Sequence, residues 1–312
     1  MKNKENNSKI LKERKSFLIL AFTYSIIVLL GVIVFLYLVF YLPLIKNKEI
    51  FPKNYSVNLK EKISDEDKKI YGITLDEVIQ KSKNIKVYFI DGREIEEFQA
   101  AHIKGAFHLR IPDIKDTEEV SKKIGLNKNE INRSFFVIYC HDGTRSIEAV
   151  KRINQENFKF LIDGIGSFKN RKFKNSDFEI EGDFNISPFP DYIQNKDFTV
   201  DPSQAVKLIK NGGFLVDGRL YEKNIQFPNA YNFRIGQLTS EEYDTKLQKI
   251  LEQKGKDIIF IGNVYPDLFY AKLIFYRLVQ NNGFKIENLK IVFGQDNELY
   301  QLLKKEGILN GN

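Results

Sequence analysis

The chain has 312 residues, which is room for two domains of ordinary size, and a formal net charge of +7 at pH 7. Residues 1–15 contribute +4 (six basic, two acidic) and residues 46–62 contribute +3 (five basic, two acidic), so the remainder is neutral. This distribution argues against nucleic-acid binding. The single cysteine, Cys140, excludes an internal disulfide and fits an oxidising or a reducing compartment equally well.

Residues 16–45 form an apolar segment without any charged side chain. The segment exceeds the roughly 20 apolar residues that cross a bilayer, so we expect one transmembrane helix in contact with membrane lipid. Its length argues against a core helix of a soluble domain and against a cleaved signal peptide. Tyr37, Tyr41 and Pro43 near its far end suit a membrane interface.

The two flanks of this segment are basic, and they suit anionic lipid headgroups. The N-terminal tail, residues 1–15, carries six basic residues, against five in residues 46–62, which begin a juxtamembrane linker that we place at 46–69. The positive-inside rule therefore slightly favours a cytoplasmic N-terminus and extracytoplasmic soluble domains.

Residues 70–170 show the alternation of an α/β domain with a mainly parallel sheet flanked by helices. Thr74 and Glu77 form a capping box at a predicted helix start. The apolar runs 87–90 and 135–139 predict strands. In such a sheet the ligand crevice lies beyond the carboxyl ends of the strands. That edge is where the only cysteine would lie.

Cys140 sits between the strand-like run 135–139 and a helical pattern. The Cys140 loop, residues 140–146, consists of Cys140, His141, Asp142, Gly143, Thr144, Arg145 and Ser146. The first turn of a helix offers unpaired N–H groups and a positive dipole end, which together favour a thiolate nucleophile. The structural alternative for a lone cysteine is a small buried hydrophobe, but these neighbours favour the nucleophile.

Two sequence blocks carry a family resemblance. The first runs from Asp91-Gly92-Arg93 through Glu97-Phe98 to Ala101-His102-Ile103-Lys104-Gly105-Ala106. The second is the Cys140 loop followed by Ala149 and by Phe160-Leu161-Ile162-Asp163-Gly164. Together they resemble the rhodanese-like (sulfurtransferase) domain over residues 73–168, although Ala101 and Lys104 depart from a usual Gly and a common Pro. The resemblance implies that Cys140 takes a sulfane sulfur as a persulfide and passes it to a thiophilic acceptor.

The length of the Cys140 loop helps to choose the chemistry. Four residues separate Cys140 from Arg145, which resembles sulfurtransferases of the family, whereas related dual-specificity phosphatases and arsenate reductases carry five. Gly143 can adopt the left-handed conformation that a tight turn needs. We expect Arg145 to hold the thiolate or persulfide and to guide an anionic donor. Asp142 places a negative charge in the loop, which argues against thiosulfate as the physiological donor.

The remaining candidate residues point to the scaffold. The resemblance implies that Asp91 caps the following turn and that Arg93 pairs internally. His102 is expected to be a packed hydrogen-bonding residue, and His141 either tunes the thiol or is a polar loop residue. We expect no metal site, because the spacings of the three histidines and Cys140 match no zinc pattern, and no cofactor.

A second, repeated unit follows an extended, proline-containing linker that we place at residues 171–197. In residues 198–312, Leu215-Val216-Asp217-Gly218-Arg219 echoes Phe89-Ile90-Asp91-Gly92-Arg93. Asp201 and Pro202 suit a helix start. The positions of Cys140 and Arg145 align with Gly262 and Asp267. We therefore predict a degenerate rhodanese-like unit that cannot carry sulfur.

These features predict a membrane-anchored tandem rhodanese whose first unit transfers sulfur by double displacement through Cys140. Its partners would be a small sulfur donor and an acceptor that is a thiol, a cyanide-like compound or a protein. The alternative is a non-catalytic rhodanese-like module that binds a partner at the membrane, which Asp142 and the inactive second unit favour.

Overall fold

A computed structural model describes residues 63–168, 178–183, 187–220 and 225–309. All of these residues fall within one compact unit of the chain. None of the helices in these ranges is long and apolar enough to cross a membrane. Several predictions fall outside the described residues. They concern the transmembrane segment at 16–45, its flanks at 1–15 and 46–62, and residues 171–177 and 184–186 of the predicted linker.

The first domain alternates helices and strands up to residue 183. Its helices are α1 Asp65–Tyr71, α2 Leu75–Ser82, α3 Ile95–Ala100, α4 Thr117–Ile124, α5 Lys128–Arg133 and α6 Ser146–Ile153. Its strands are β1 Gly72–Ile73, β2 Val87–Asp91, β3 Ala101–Ile103, β4 Phe107–His108, β5 Phe135–Tyr139, β6 Phe158–Leu161 and β7 Ile180–Gly182. Short 3-10 turns cover Ile111–Asp113 and Gly164–Phe168.

Five strands of this domain form a parallel sheet in the order β1-β6-β5-β2-β4. Strand β5 is central, and all five of its side chains are buried, because helices cover both faces of a parallel sheet. Phe136 and Ile138 pack with Val150 of α6 on one face, while Val137 packs with Val78 of α2 on the other. The sheet therefore holds the end of β5 rigidly.

Helix starts follow the predicted caps. Thr74 accepts a hydrogen bond from the Glu77 backbone N–H, and the Glu77 carboxylate accepts one from the Thr74 backbone N–H. In the second domain Asp201 caps the helix that begins at Pro202. Such caps satisfy N–H groups that a helix start leaves without partners.

The second domain is a smaller α/β unit. Its helices are α7 Asp191–Gln194, α8 Pro202–Lys210, α9 Ser240–Leu251, α10 Tyr265–Asn282 and α11 Asp296–Lys305. Its strands are β8 Phe214–Asp217, β9 Tyr231–Asn232, β10 Ile258–Gly262 and β11 Leu289–Phe293, with 3-10 turns at Ile235–Gln237 and Ile286–Asn288. The four strands form a parallel sheet in the order β11-β10-β8-β9.

The predicted fold class, α/β with parallel central sheets flanked by helices, is confirmed for both domains. The predicted linker, in contrast, contains regular structure. Strand β7 pairs antiparallel with β3 of the first domain, and α7 lies against α10 with Ile193 fully buried. The sequence does not predict these elements, because segments of three or four residues leave little periodic pattern.

Candidate functional site

The first turn of α6 faces the end of β5, and the Cys140 loop joins the two elements. Cys140 is fully buried. The Gly143 N–H donates a hydrogen bond to Cys140 Sγ at 3.2 Å. Gly143 has φ +92°, a left-handed conformation that a side chain would strain. The backbone itself therefore supplies a donor to the sulfur, as expected for a site that holds a negative sulfur atom.

Ser146 lies 3.7 Å from Cys140 Sγ through its hydroxyl oxygen and 3.0 Å from the Gly143 carbonyl oxygen. A serine hydroxyl has one hydrogen to donate, and the carbonyl is the closer acceptor. Ser146 therefore fixes the shape of the loop and provides at most a weak contact to the sulfur.

A glycine turn supports the loop from below. The Ile165 N–H donates to the Cys140 carbonyl oxygen at 2.9 Å, and the Gly166 N–H donates to the His141 carbonyl oxygen at 3.3 Å. Gly164 has φ +54°, and a Cβ there would lie 2.5 Å from the Cys140 carbonyl oxygen and 2.7 Å from the Asp142 nitrogen. Gly164, the last residue of the second sequence block, thus packs directly against the backbone of the Cys140 loop.

Asp142 is an acid held within the loop. Its Oδ1 accepts from the Thr144 N–H at 3.1 Å and from the Thr144 hydroxyl at 2.6 Å, and lies 3.9 Å from Cys140 Sγ. Burial alone would raise the pKa of Asp142, but the Thr144 hydrogen bonds and the charges of Arg145 and His141 hold that pKa below its ordinary value. A carboxylate therefore stands beside the sulfur. His141, next to it, is exposed.

Arg145 is the cation of the site, and both domains hold it. Its Nη2 lies 3.5 Å from Glu97 Oε1 of α3, and its Nη1 donates to the Tyr270 hydroxyl of α10 at 2.8 Å. Burial would lower the pKa of Arg145, but Tyr270, Glu97 and Cys140 together raise it well above its ordinary value. The guanidinium is thus charged, is held by both domains, and interacts electrostatically with Cys140.

The other predicted residues lie in the scaffold beside the loop. Asp91 accepts from the Arg93 backbone N–H at 3.0 Å and pairs with the Arg93 guanidinium at 2.7 Å, with both side chains buried. His102 stacks on Phe98 at 3.9 Å between ring centroids, and its Nδ1 lies 2.9 Å from the Phe98 carbonyl oxygen. Within the described residues, no three His, Cys, Asp or Glu side chains are grouped to hold a metal ion.

A buried charge cluster connects the two domains. Arg110 forms a bidentate pair with Glu94 and donates to the carbonyl oxygens of Ile235 and Leu238 at 3.1 and 3.2 Å. Arg277 of α10 reaches Glu94 at 3.2 Å and also pairs with a neighbouring glutamate. The cluster fixes α10, and hence Tyr270, against the first domain.

The second domain repeats the scaffold but not the loop. Arg219 pairs with Asp217 as Arg93 pairs with Asp91. The Gly218 N–H donates to the Ile261 carbonyl oxygen, as the Gly92 N–H does to Tyr139. This register puts Gly262 where Cys140 stands. Helix α10 begins only three residues after Gly262, whereas α6 begins six residues after Cys140. The second domain therefore lacks both the thiol and the room for a loop around a sulfur atom.

The alignment of Asp267 with Arg145 has a different outcome in three dimensions. Arg145 precedes α6 as its N-cap residue, whereas Asp267 lies inside the first turn of α10. There its buried carboxylate accepts from the backbone N–H groups of Leu220, Asn263 and Val264. Burial raises its pKa in spite of these bonds. Asp267 thus stabilises a helix start.

Sequence reasoning missed the partners of Arg145. Glu97 was visible as part of the first sequence block but had no assigned role, and its 3.5 Å contact arises because α3 packs beside the loop. Tyr270 is separated from Arg145 by 125 positions. A tyrosine within a long apolar helix gives no sequence signal for such a contact.

Comparisons with known proteins give a family match within the first domain. Residues 74–171 match the rhodanese-like domain family, so the first domain contains a rhodanese-like domain. The putative sulfur carrier protein YrkF of Bacillus subtilis (strain 168) is 35% identical over 77 residues, which are 24% of this chain and 36% of that protein. The chain thus spans about a third of the length of that curated relative. The family match supports sulfur-transfer chemistry at the level of the family.

Two solved structures are similar to parts of the chain. The BH2092 protein from Bacillus halodurans is 22% identical, with 37% of this chain and 79% of that chain covered and a TM-score of 0.27. A thiosulfate sulfurtransferase from Pseudomonas aeruginosa is 12% identical, with 72% of this chain and 42% of that chain covered and a TM-score of 0.28.

Proposed function

We propose that the first domain is a sulfurtransferase that carries a sulfane sulfur on Cys140 as a persulfide. The observation that supports this most strongly is the 3.2 Å hydrogen bond from the Gly143 N–H to Cys140 Sγ at the start of α6. Arg145, held by Glu97 and Tyr270, adds a positive charge that interacts with Cys140. A backbone donor, a helix dipole and a cation together stabilise a sulfur anion before and after transfer.

The reaction has two displacement steps. The Cys140 thiolate attacks the outer sulfur of a donor R–S–S–H, a bond forms between the two sulfur atoms, and the donor S–S bond breaks. The leaving thiolate R–S⁻ takes the proton of the transferred sulfur, which leaves R–SH and an anionic Cys140 persulfide. The persulfide regains a proton from solvent, and an acceptor thiolate R′–S⁻ or cyanide attacks its terminal sulfur. The S–S bond to Cys140 breaks, Cys140 leaves as the thiolate, and the product is R′–S–SH or thiocyanic acid, which ionises to thiocyanate.

The negative charge of Asp142 affects which sulfur donors the site favours. Two unit charges about 4 Å apart interact by about 4 kcal/mol at an effective dielectric constant of 20, and Asp142 Oδ1 lies 3.9 Å from Cys140 Sγ. Arg145 is in turn paired with Glu97. Because these carboxylates offset the cation, a compact dianion such as thiosulfate is disfavoured relative to a donor of lower charge density.

A rhodanese-like interaction module is the second candidate. The full burial of Cys140 favours it, since a small donor needs access to the sulfur. In that case the domain surface would bind a protein partner without any need for a reactive thiol.

We also propose a degenerate rhodanese-like origin for the second domain and a membrane anchor at residues 16–45. The repeated Asp-Gly-Arg geometry at 217–219 supports the first proposal. The long uncharged apolar run supports the second. With the N-terminus in the cytoplasm, both domains would lie outside it. Protease treatment of cells stripped of their wall would then digest the domains, and protection of the domains would contradict this orientation.

The proposed chemistry is tested by replacing the nucleophile. The full-length protein in detergent is incubated with glutathione persulfide, 3-mercaptopyruvate or thiosulfate and then with cyanide, and thiocyanate is measured. We expect Cys140→Ser to reduce thiocyanate formation to the uncatalysed rate while the melting temperature stays close to that of the wild type. Sulfur transfer retained by Cys140→Ser would contradict the proposal.

A further inference from the structure

The Arg145 guanidinium binds one residue from each domain. Glu97 of the first domain is an anion 3.5 Å away, and Tyr270 of the second domain accepts a 2.8 Å hydrogen bond from Nη1. The hydroxyl contact is the shorter of the two. The direction of the Arg145 side chain therefore depends on a group that the cysteine-free domain supplies.

Close packing fixes the position of the Tyr270 side chain. Tyr270 is only 4% exposed, and its ring lies against Gly236 in the turn Ile235–Gln237. A Cβ on Gly236 would come within 2.7 Å of the Tyr270 ring and of Leu220 Cδ2. Since real Cβ atoms do not approach so closely, a glycine leaves the space that the ring fills.

Tyr270 holds the cation without cancelling its charge. Burial raises the pKa of Tyr270 to about 12, although Arg145 opposes the shift. The hydroxyl is therefore neutral at physiological pH. Glu97 offsets the positive charge of Arg145, whereas the neutral phenol oxygen only fixes its position.

We infer that Tyr270 is a positioning residue for Arg145, so that the second domain completes the active site of the first. The inference rests on the proposed function, in which Arg145 stabilises sulfur anions at Cys140. It gives the cysteine-free domain a specific role: its helix α10 presents one hydroxyl to the guanidinium of the neighbouring domain.

A charge-sensitive labelling experiment tests this without any sulfur transfer. The chain has one cysteine, so alkylation of the full-length protein reports on Cys140 alone. Iodoacetate is anionic and iodoacetamide is neutral, and both must reach the same sulfur. Their rate ratio therefore cancels access and thiolate content and retains the local field at the sulfur, to which Arg145 and Asp142 both contribute. The Arg145→Ala background isolates the part that Arg145 supplies.

We expect Tyr270→Phe to lower the iodoacetate to iodoacetamide rate ratio roughly fivefold, because the released guanidinium moves away from the sulfur. In an Arg145→Ala background the same substitution should change the ratio less than twofold. Tyr243→Phe is the matched control, because Tyr243 is also a buried interface tyrosine but lies over Arg110 and Arg277. It should leave the ratio unchanged.

Gly236→Ala provides a second variant, should Tyr270→Phe fail to fold. It keeps the hydroxyl but displaces the ring, so the ratio should fall in the wild-type background and not in Arg145→Ala. The inference is overturned if the ratio does not change in whichever of the two variants folds. It is also overturned if the ratio falls equally in the wild-type and Arg145→Ala backgrounds.

Sulfur-transfer assays on the same variants separate the two proposals. We expect kcat/KM to fall about tenfold in Tyr270→Phe, as for the loss of one hydrogen bond to a charged group, and to stay unchanged in Tyr243→Phe. A wild-type protein that transfers no sulfur from any donor contradicts the proposed function, while the alkylation ratio still decides the role of Tyr270.

Discussion

Gly164 supports the Cys140 loop from below, and its replacement by alanine tests whether this floor shapes the site. A Cβ at Gly164 would lie 2.5 Å from the Cys140 carbonyl oxygen and 2.7 Å from both the Asp142 nitrogen and the His141 carbonyl carbon. All three atoms belong to backbone, so none can move aside as a flexible side chain would. Gly164 also has φ +54°, which is costly for alanine.

Gly105 separates the two effects, because it has φ +75° but no atom within 4 Å of an added Cβ. Gly105→Ala should cost only the left-handed conformation, about 1–2 kcal/mol. Gly164→Ala should cost that amount plus about 1–3 kcal/mol for the forced shift of packed backbone. At about 2–4 °C per kcal/mol, the melting temperature should fall by about 4 °C for Gly105→Ala and about 10 °C for Gly164→Ala.

The assay combines thermal unfolding with sulfur loading of Cys140 at a temperature where both variants are folded. We expect Gly105→Ala to load sulfur like the wild type and Gly164→Ala to load it at least about tenfold more slowly, because the displaced loop no longer presents the Gly143 N–H to the sulfur. Equal melting temperatures for the two variants, together with normal loading by Gly164→Ala, would refute this reasoning.

Two further predictions concern stability. Burial alone would raise the pKa of Asp217, but hydrogen bonds from Arg219 and the nearby arginine charges lower it. The stability that this ion pair contributes should therefore be fully present when the pH is above the ordinary Asp pKa of about 4. It should be lost as the pH falls through the lower pKa of the folded protein. Asp217→Asn should flatten the plot of melting temperature against pH in that window, and a slope equal to that of the wild type would contradict this. Asp113 accepts from the Ser240 N–H at 2.8 Å and hydroxyl at 2.7 Å across the domain interface, so Asp113→Ala should cost about 2 kcal/mol in unfolding free energy, whereas a cost near zero would contradict the interface.

Much of the fold follows from local sequence patterns. The apolar run 135–139 predicts a buried strand, and β5 occupies those five positions. The capping box at Thr74 and Glu77 predicts a helix start that α2 reproduces. These features could be predicted because strand burial and helix capping involve residues close together in the chain.

The position of Cys140 could be predicted for the same reason, but the surroundings of its loop could not. The contact of Arg145 with Tyr270 joins residues 125 positions apart, and that of Arg277 with Glu94 joins residues 183 apart. Such contacts depend on how two domains pack, which no local pattern encodes. The shorter loop after Gly262 could not be predicted either, because the sequence around a strand end does not show at which residue the next helix begins.

Asp142 shows a subtler limit. The sequence indicates an acid in the loop, but not that its carboxylate would bind the N–H and hydroxyl of Thr144. The carboxylate thereby takes up a backbone donor that would otherwise be free for an anion. The charge of a residue can be read from sequence, whereas its hydrogen-bond partners depend on the turn that it adopts.

The most direct test of the central claim is mass spectrometry of the full-length protein after incubation with glutathione persulfide and then with cyanide. We predict a gain of one sulfur atom on Cys140 that cyanide removes. A Cys140 thiol that stays unmodified with glutathione persulfide, 3-mercaptopyruvate and thiosulfate would contradict the claim and favour a module that binds a partner.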